Sequence, residues 1–391
     1  MALRRLLILC LASAWLSGCS GTIGADDFEP VDDAGLDAGG DDAGDLRDGG
    51  DLEDAGIADA AADARDAGAD EAQPDGGDAG GDPSPERCPP LSGDPPVHGC
   101  LEAGWTVFTA GHLLLLDAPS MASAGTDFIL QLTPQGEVIQ TVVGPGSGIL
   151  GMRDAVLDPS SGHLLYSVSE WTSQIFEIRE VDATGNLLHT YPMPAGMGGG
   201  DIAMAFDQLG TLHVAYDNAI FRKPAGESAL TRWLDLPEGQ GLGEIDLDRR
   251  GNIYLTDPHV TESVMRMSPD GSLCTLAGPE EGLNSPYGLT VLPNDEIFVT
   301  SINPDGHACR IFKIDAGGGV SLYADDVAPA GSSMRGLDVD AAGQLYATSE
   351  GFQPALLRID SDGSHEVVAG DAQGLIRPAR VVSVSTPYPC E

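Results

Sequence analysis

Residues 245–257 read IDLDRRGNIYLTD, and that line decides the fold. Apolar and polar residues alternate up to Asp248, an Arg-Arg-Gly-Asn turn follows, and a β-branched and aromatic run leads to a terminal Asp. Alternation of period two around a Gly/Asn turn is the signal of a β-hairpin. The same line recurs, with drift, as WTVFTAGHLLLLD (105–117), AVLDPSSGHLLYSVSE (155–170), IAMAFDQLGTLHVAYD (202–217), LTVLPNDEIFVTS (289–301) and LDVDAAGQLYATSE (337–350). Each copy is followed by a second hairpin around another Gly turn, such as VMRMSPDGSLCTLAG or LLRIDSDGSHEVVAG. Four strands per unit of about 45 residues argue for blades that bury their faces only against one another. No long helical period appears after residue 104. The expectation is an all-β chain: a six-bladed β-propeller over residues 88–391, preceded by a disordered acidic tether. Arg380–Ser385 (RVVSVS) is expected to close the ring on the first blade.

The repeats resemble those of NHL-type six-bladed propellers, in which a line of the form GVAVDxxGNIYVAD recurs. Ile245–Asp257 and Leu337–Glu350 match it best. The resemblance implies the architecture; propellers of this kind serve as binding scaffolds, lactonases and structural modules.

The charge is unevenly placed. The chain has 391 residues, with 61 acidic against 19 basic and a formal net charge of −42, which excludes a nucleic-acid role because a phosphate backbone needs a basic face. Of the acidic residues, 22 lie between positions 26 and 87, in a tract of Asp, Ala and Gly too poor in apolar surface to offset the entropy of folding. Residues 19–87 therefore read as the tether. Residues 1–18 read as a signal: two arginines, then an apolar run from Leu6 to Leu16 too short to span a bilayer. Leu16-Ser17-Gly18-Cys19 resembles the lipobox of bacterial lipoproteins. The resemblance implies cleavage before Cys19, its lipidation, and stable membrane anchoring by several acyl chains. Ser20 rather than Asp fits outer-membrane sorting. The expected location is the cell envelope, on the outer membrane, facing the periplasm or the cell surface.

Past the signal and Cys19, five cysteines remain: Cys88, Cys100, Cys274, Cys309 and Cys390. In an exported chain they are disulfide candidates. Cys88 with Cys100, Cys274 with Cys309, and Cys100 with Cys390 are all open pairings. The spacing rules out none of them, and an odd thiol is left over.

Propeller ligands gather where loops from all blades meet the channel. Before the first strands stand Asp154, Asp201, Glu244, Tyr287 and Arg335; after the second stand Asp117, Glu170, Asp217-Asn218, Asp257, His259, Asn303 and Glu350. Asp154, Asp201, Asp217, Asn218, Glu244, Asp257, Asn303 and Glu350 would form a ring of oxygen ligands fit for calcium. The bland reading is that strand-end Asp and Asn cap turns. Gly243-Glu244, followed by a strand and Asp257, resembles the metal-binding pattern of the gluconolactonase and senescence-marker-protein family. That resemblance implies Glu244 and Asp257 as ligands, with Asn218 or Asn303 as a third. The chain departs from the pattern, since Glu244 opens the fourth blade and Ile245-Asp246-Leu247 replaces the aromatic continuation. No GxSxG, HExxH or P-loop occurs. His112, His163 and His213 sit where turns enter strands and read as structural; Trp105, Trp171 and Trp233 read as packing. The functional expectation is a lipid-anchored binding or scaffold module for a protein, a peptide or an envelope glycan. The alternative is a calcium-dependent lactonase- or esterase-like hydrolase.

Overall fold

The computed structural model describes residues 86–92, 107–119, 126–145, 151–170, 173–194, 201–237, 241–302, 309–328, 332–351 and 353–384. The signal and residues 19–85 of the tether lie outside them, as do Cys100, Cys390, Trp105, Trp171 and Asn303.

Among the described residues, strands pair antiparallel into six four-stranded sheets. Blade 1 holds β1 (Leu113–Asp117), β2 (Phe128–Leu132) and β3 (Val138–Val143). Blade 2 runs β4 (Met152–Leu157), β5 (Leu164–Glu170), β6 (Ile175–Val181), β7 (Leu187–Pro192). Blade 3 runs β8 (Ile202–Phe206), β9 (Leu212–Tyr216), β10 (Ala219–Lys223), β11 (Thr231–Asp235). Blade 4 runs β12 (Ile245–Leu247), β13 (Ile253–Asp257), β14 (Ser263–Met267), β15 (Leu273–Ala277). Blade 5 runs β16 (Leu289–Val291), β17 (Ile297–Ile302), β18 (Cys309–Ile314), β19 (Val320–Ala328). Blade 6 runs β20 (Ser333–Val339), β21 (Leu345–Glu350), β22 (Ala355–Ile359), β23 (His365–Ala369).

The innermost strand of blade 1 is β24 (Pro378–Ser383), which pairs with β1 through Leu113↔Ser383 to Leu116↔Arg380. Closure by the C-terminal strand is as expected. One detail is corrected: the first unit supplies no inner strand of its own, because Val107–His112 is turn and loop. Gly111 and Val384 bond there through their backbones instead. The inner strands touch in the cyclic order β24, β4, β8, β12, β16, β20, which closes the ring.

The tight turns at one end of the ring follow from a recurrent D-x-x-G. Asp182, Asp207, Asp248, Asp315 and Asp340 each accept two backbone N–H bonds on one side-chain oxygen, from residues two and four positions on. The glycine three residues on donates to the Asp carbonyl and takes positive φ. At Gly185 a side chain is excluded twice over, by φ +80° and by the Val142 carbonyl of blade 1, 1.8 Å from where Cβ would fall. Much of the propeller's acidity is thus turn chemistry.

The core is divided among the gaps between blades. One cluster packs Leu114, Leu116 and Ile129 of blade 1 on Met152, Tyr166 and Val181 of blade 2, and equivalent clusters fill the other five gaps. A hydroxyl on the second strand stitches each of three gaps. Thr256, Thr300 and Thr348 accept the N–H of Glu244, Gly288 and Gly336 and donate to the carbonyls of Tyr287, Met334 and Ala379 in the next blade.

The entering chain is fastened to blade 4. Arg87 bridges in parallel to Thr275 of β15, and Cys88 is disulfide-bonded to Cys274. Arg87 also meets Glu280 and Glu281, while Arg266 donates to the Pro89 carbonyl. The pairings of Cys88 with Cys100 and of Cys274 with Cys309 are thereby corrected. The extra edge strand brings Cys88 to β15, and Cys309 is a free, buried thiol in β18.

Candidate functional site

At the other end of the ring, where one blade leads into the next, polar side chains gather about the axis at two levels. The lower level is set by the inner strands. Asp154, Glu244, Gly288 and Gly336 are equivalent positions: each donates its backbone N–H to a Ser or Thr hydroxyl of the neighbouring strand. Ala203 matches them in blade 3. The sixth position is Arg380 of β24. Its guanidinium forms ion pairs with Asp154 in blade 2, at 3.1 Å, and with Glu244 in blade 4, across the ring. All three side chains are nearly buried, at 10, 7 and 8 % exposure. In the adjoining blade 6 Gly336 lets the two inner strands approach closely: a Cβ there would stand 2.7 Å from the Arg380 Cα.

Each of the two carboxylates also holds the next blade, through Met204 N–H to Asp154 at 2.6 Å and Leu289 N–H to Glu244 at 2.7 Å. Burial pushes the Asp154 pKa up, with Arg380 acting against it; burial likewise lowers that of Arg380. Two more channel carboxylates repeat the device, Asp246 accepting from Val291 N–H and Asp338 from Ser383 N–H. Burial pushes them up to about 6 and about 7.

The upper level draws on every blade. Arg377 comes from blade 1, Arg153 from blade 2, Asp201 from blade 3, His259 from blade 4, Tyr287 from blade 5, and Arg335 and Glu350 from blade 6. Glu350 is gripped by two guanidinia, Arg335 Nε on one oxygen and Arg377 Nε on the other, both at 2.5 Å. Burial acts to raise its pKa, but the two arginines outweigh it and hold it low. Arg335 lies over the Tyr287 ring at 4.7 Å and reaches within 4.0 Å of Asp201 on the far side. Tyr287 hydrogen-bonds His259 Nε2 at 2.9 Å. Arg153 contacts Asp201 at 3.1 Å, and its side chain is 8 % exposed.

The expected oxygen ring divides accordingly. Asp154, Glu244, Asp201 and Glu350 do converge on the channel, but onto arginines. Asp257 spends both oxygens on its own loop, accepting from the N–H of His259, Val260 and Thr261 and from the Thr261 hydroxyl. Asp217, at φ +57°, opens the β9–β10 turn, and the Asn218 carbonyl accepts from Leu236 N–H. Asp117 takes the N–H of Ile376 and Arg377 and is pushed up to about 6 by burial. Among the described residues no three His, Cys, Asp or Glu side chains are placed to share a metal ion. The donor set does not fit calcium: Glu244 faces a guanidinium where the ion would stand, and Asp257 has no oxygen to spare. The histidines read as structural have such partners, Gln131 for His112, Glu180 for His163 and Asp207 for His213.

Sequence reasoning missed Arg153, Arg377 and Arg380. The last was hidden inside an apolar closing strand. The available signal was the pair of glycines, Gly288 and Gly336, at the level where blades 2 and 4 carry carboxylates.

Fold and channel define a six-bladed β-propeller with an arginine-centred axis. No protein-family profile matches the chain, and no curated protein matches it. Solved structures similar to it include a streptogramin B lyase (17 % identity, TM-score 0.46, 65 % of this chain and 86 % of that one). A putative gluconolactonase is 18 % identical, with TM-score 0.43 over 56 % of this chain and 77 % of its own. The calcium-binding protein regucalcin from Agrobacterium tumefaciens is 17 % identical, with TM-score 0.44 over 56 and 74 %. These likenesses concern the fold and carry nothing about activity.

Proposed function

We propose that the chain is a lipid-anchored binding module of the bacterial cell envelope, held to the membrane through Cys19 and presenting the arginine-lined end of its propeller to a protein, peptide or envelope glycan. The observation that carries this reading is Arg380. A guanidinium neutralises Asp154 and Glu244 on the axis, where a metal-dependent hydrolase would need those oxygens for an ion. Recognition by the rim needs no covalent step. The calcium-dependent lactonase alternative draws no support from the donor set.

Metal analysis of the purified mature chain, after calcium loading and again after chelation, tests the reading. The expected result is no retained divalent ion and the same melting temperature in both states. One tightly held calcium per chain, lost in Glu244→Ala and Asp257→Ala, would sink it. Anchoring is tested separately: metabolic labelling with a fatty-acid analogue should mark the chain and fail on Cys19→Ser.

A further inference from the structure

The rim holds more guanidinium capacity than its own carboxylates use. Arg335 and Arg377 each commit Nε to Glu350, and the nearest other acid to Arg335 is Asp201 at 4.0 Å. Arg153 is the odd member. Its side chain is more than nine-tenths buried, yet its Nε, which meets Asp201 Oδ1 at 3.1 Å, is not in hydrogen-bond geometry with it, and Asp201 is itself 34 % exposed. A buried, incompletely bonded guanidinium costs free energy until an acceptor reaches it. The other acids nearby do not serve it fully: Asp127 gives Oδ2 to Met152 N–H, and Asp117 gives both oxygens to Ile376 and Arg377 N–H. Burial lowers the Arg153 pKa, and Asp201 only partly opposes this.

We infer that the rim binds the carboxylate group of a ligand, with Arg153 as the principal partner and Arg377 and Arg335, from the next two blades round the ring, beside it. Planar, forked guanidinia suit a carboxylate better than a compact halide. This rests on reading the propeller as a binding module and names what that module recognises. A sugar acid in an envelope glycan and the C-terminus of a peptide offer the same group. Tyr287 and His259, hydrogen-bonded at the rim, supply a polar edge for the rest of the ligand.

The test is calorimetric titration of the mature chain with D-glucuronate and with N-acetylglycine, each against its neutral counterpart, glucose and N-acetylglycinamide. At least one acid should bind, on the order of 1 mM for a single anchored group, while its neutral partner gives no heat. Glucuronate alone points to glycan, N-acetylglycine alone to a peptide end. Arg153→Gln should weaken binding roughly tenfold or more, and raised salt should weaken it further. Arg377→Gln, at a more exposed position, gives the same readout should Arg153→Gln fail to fold. Equal response to acid and neutral compound, no response to either acid, or full affinity in both folded variants would overturn the inference. Those outcomes with a metal-free protein leave the binding-module reading intact; a retained calcium strikes that reading itself.

Discussion

Replacing Arg380 by methionine is the perturbation that bears most directly on the axis. The methionine keeps the bulk of the aliphatic stem and removes the charge. Asp154 and Glu244, 7 and 8 % exposed, then share the lower level of the channel with no counter-charge. Stranding a buried charge by deleting its partner costs about 3–5 kcal/mol. For a domain of about 300 residues that is a fall in melting temperature of roughly 5–8 °C. The loss should depend on pH with a definite sign. Burial already raises the Asp154 pKa, and without the opposing Arg380 charge it rises further, so the folded variant binds protons more tightly than the parent. Its deficit is then largest above neutrality and shrinks as pH falls towards about 5. Arg380→Met/Asp154→Asn/Glu244→Gln removes all three charges. It keeps an amide oxygen for Met204 N–H and Leu289 N–H, and should recover most of the loss. Urea unfolding of parent, single and triple variants at two pH values decides the matter. A single variant as stable as the parent at pH 8, or a triple no better than the single, would refute the ionic axis.

Other expectations follow from the same geometry. Asp117, Asp246 and Asp338 have folded pKa values of about 6, 6 and 7, above the roughly 3.9 of an unfolded Asp. Their contribution to stability is therefore fully present only at low pH and is lost as pH rises through about 6–7, so the melting temperature should climb on acidification from pH 8 to about 5. Asp338→Asn should flatten part of that slope in differential scanning calorimetry; a steeper slope would count against the assignment. Thr300→Val unpairs both Gly288 N–H and the Met334 carbonyl, and should cost about 1–3 kcal/mol in urea unfolding. Trypsin should spare the Arg87–Cys88 bond in the oxidised protein and cut it after reduction or in Cys274→Ser, as read by mass spectrometry; protection that survives in Cys274→Ser would show that the backbone bridge to Thr275 suffices alone.

The architecture was legible because each blade repeats its own hairpin chemistry. The D-x-x-G turns and the IYLTD-like lines are local, and local patterns survive in one sequence. The first blade misled only at 107–112, where a strand was expected and turn and loop stand; the strand that completes the blade was legible as the strand-like RVVSVS stretch left over after the sixth unit. The site was half legible. Strand-end acids were placed at the right end of the ring, but their partners were not, since Arg153, Arg377 and Arg380 lie in two lines that look apolar or irregular by themselves. A carboxylate facing a cation site and one facing an arginine look alike in sequence. Asp257 shows the remaining ambiguity: its position matches a ligand, and its hydrogen bonds make it a loop cap.

The Cys88–Cys274 bond also determines where a pull is felt. Among the described residues the ring is shut at the β24–β1 seam, in blade 1, by backbone pairing. The entering chain is riveted three blades away, on the outer strand of blade 4. Tension arriving from the residues before Glu86 therefore passes into β15 through a covalent bond. Drag on the propeller meets the sulfur bridge in blade 4, three blades from the seam that holds the circle together.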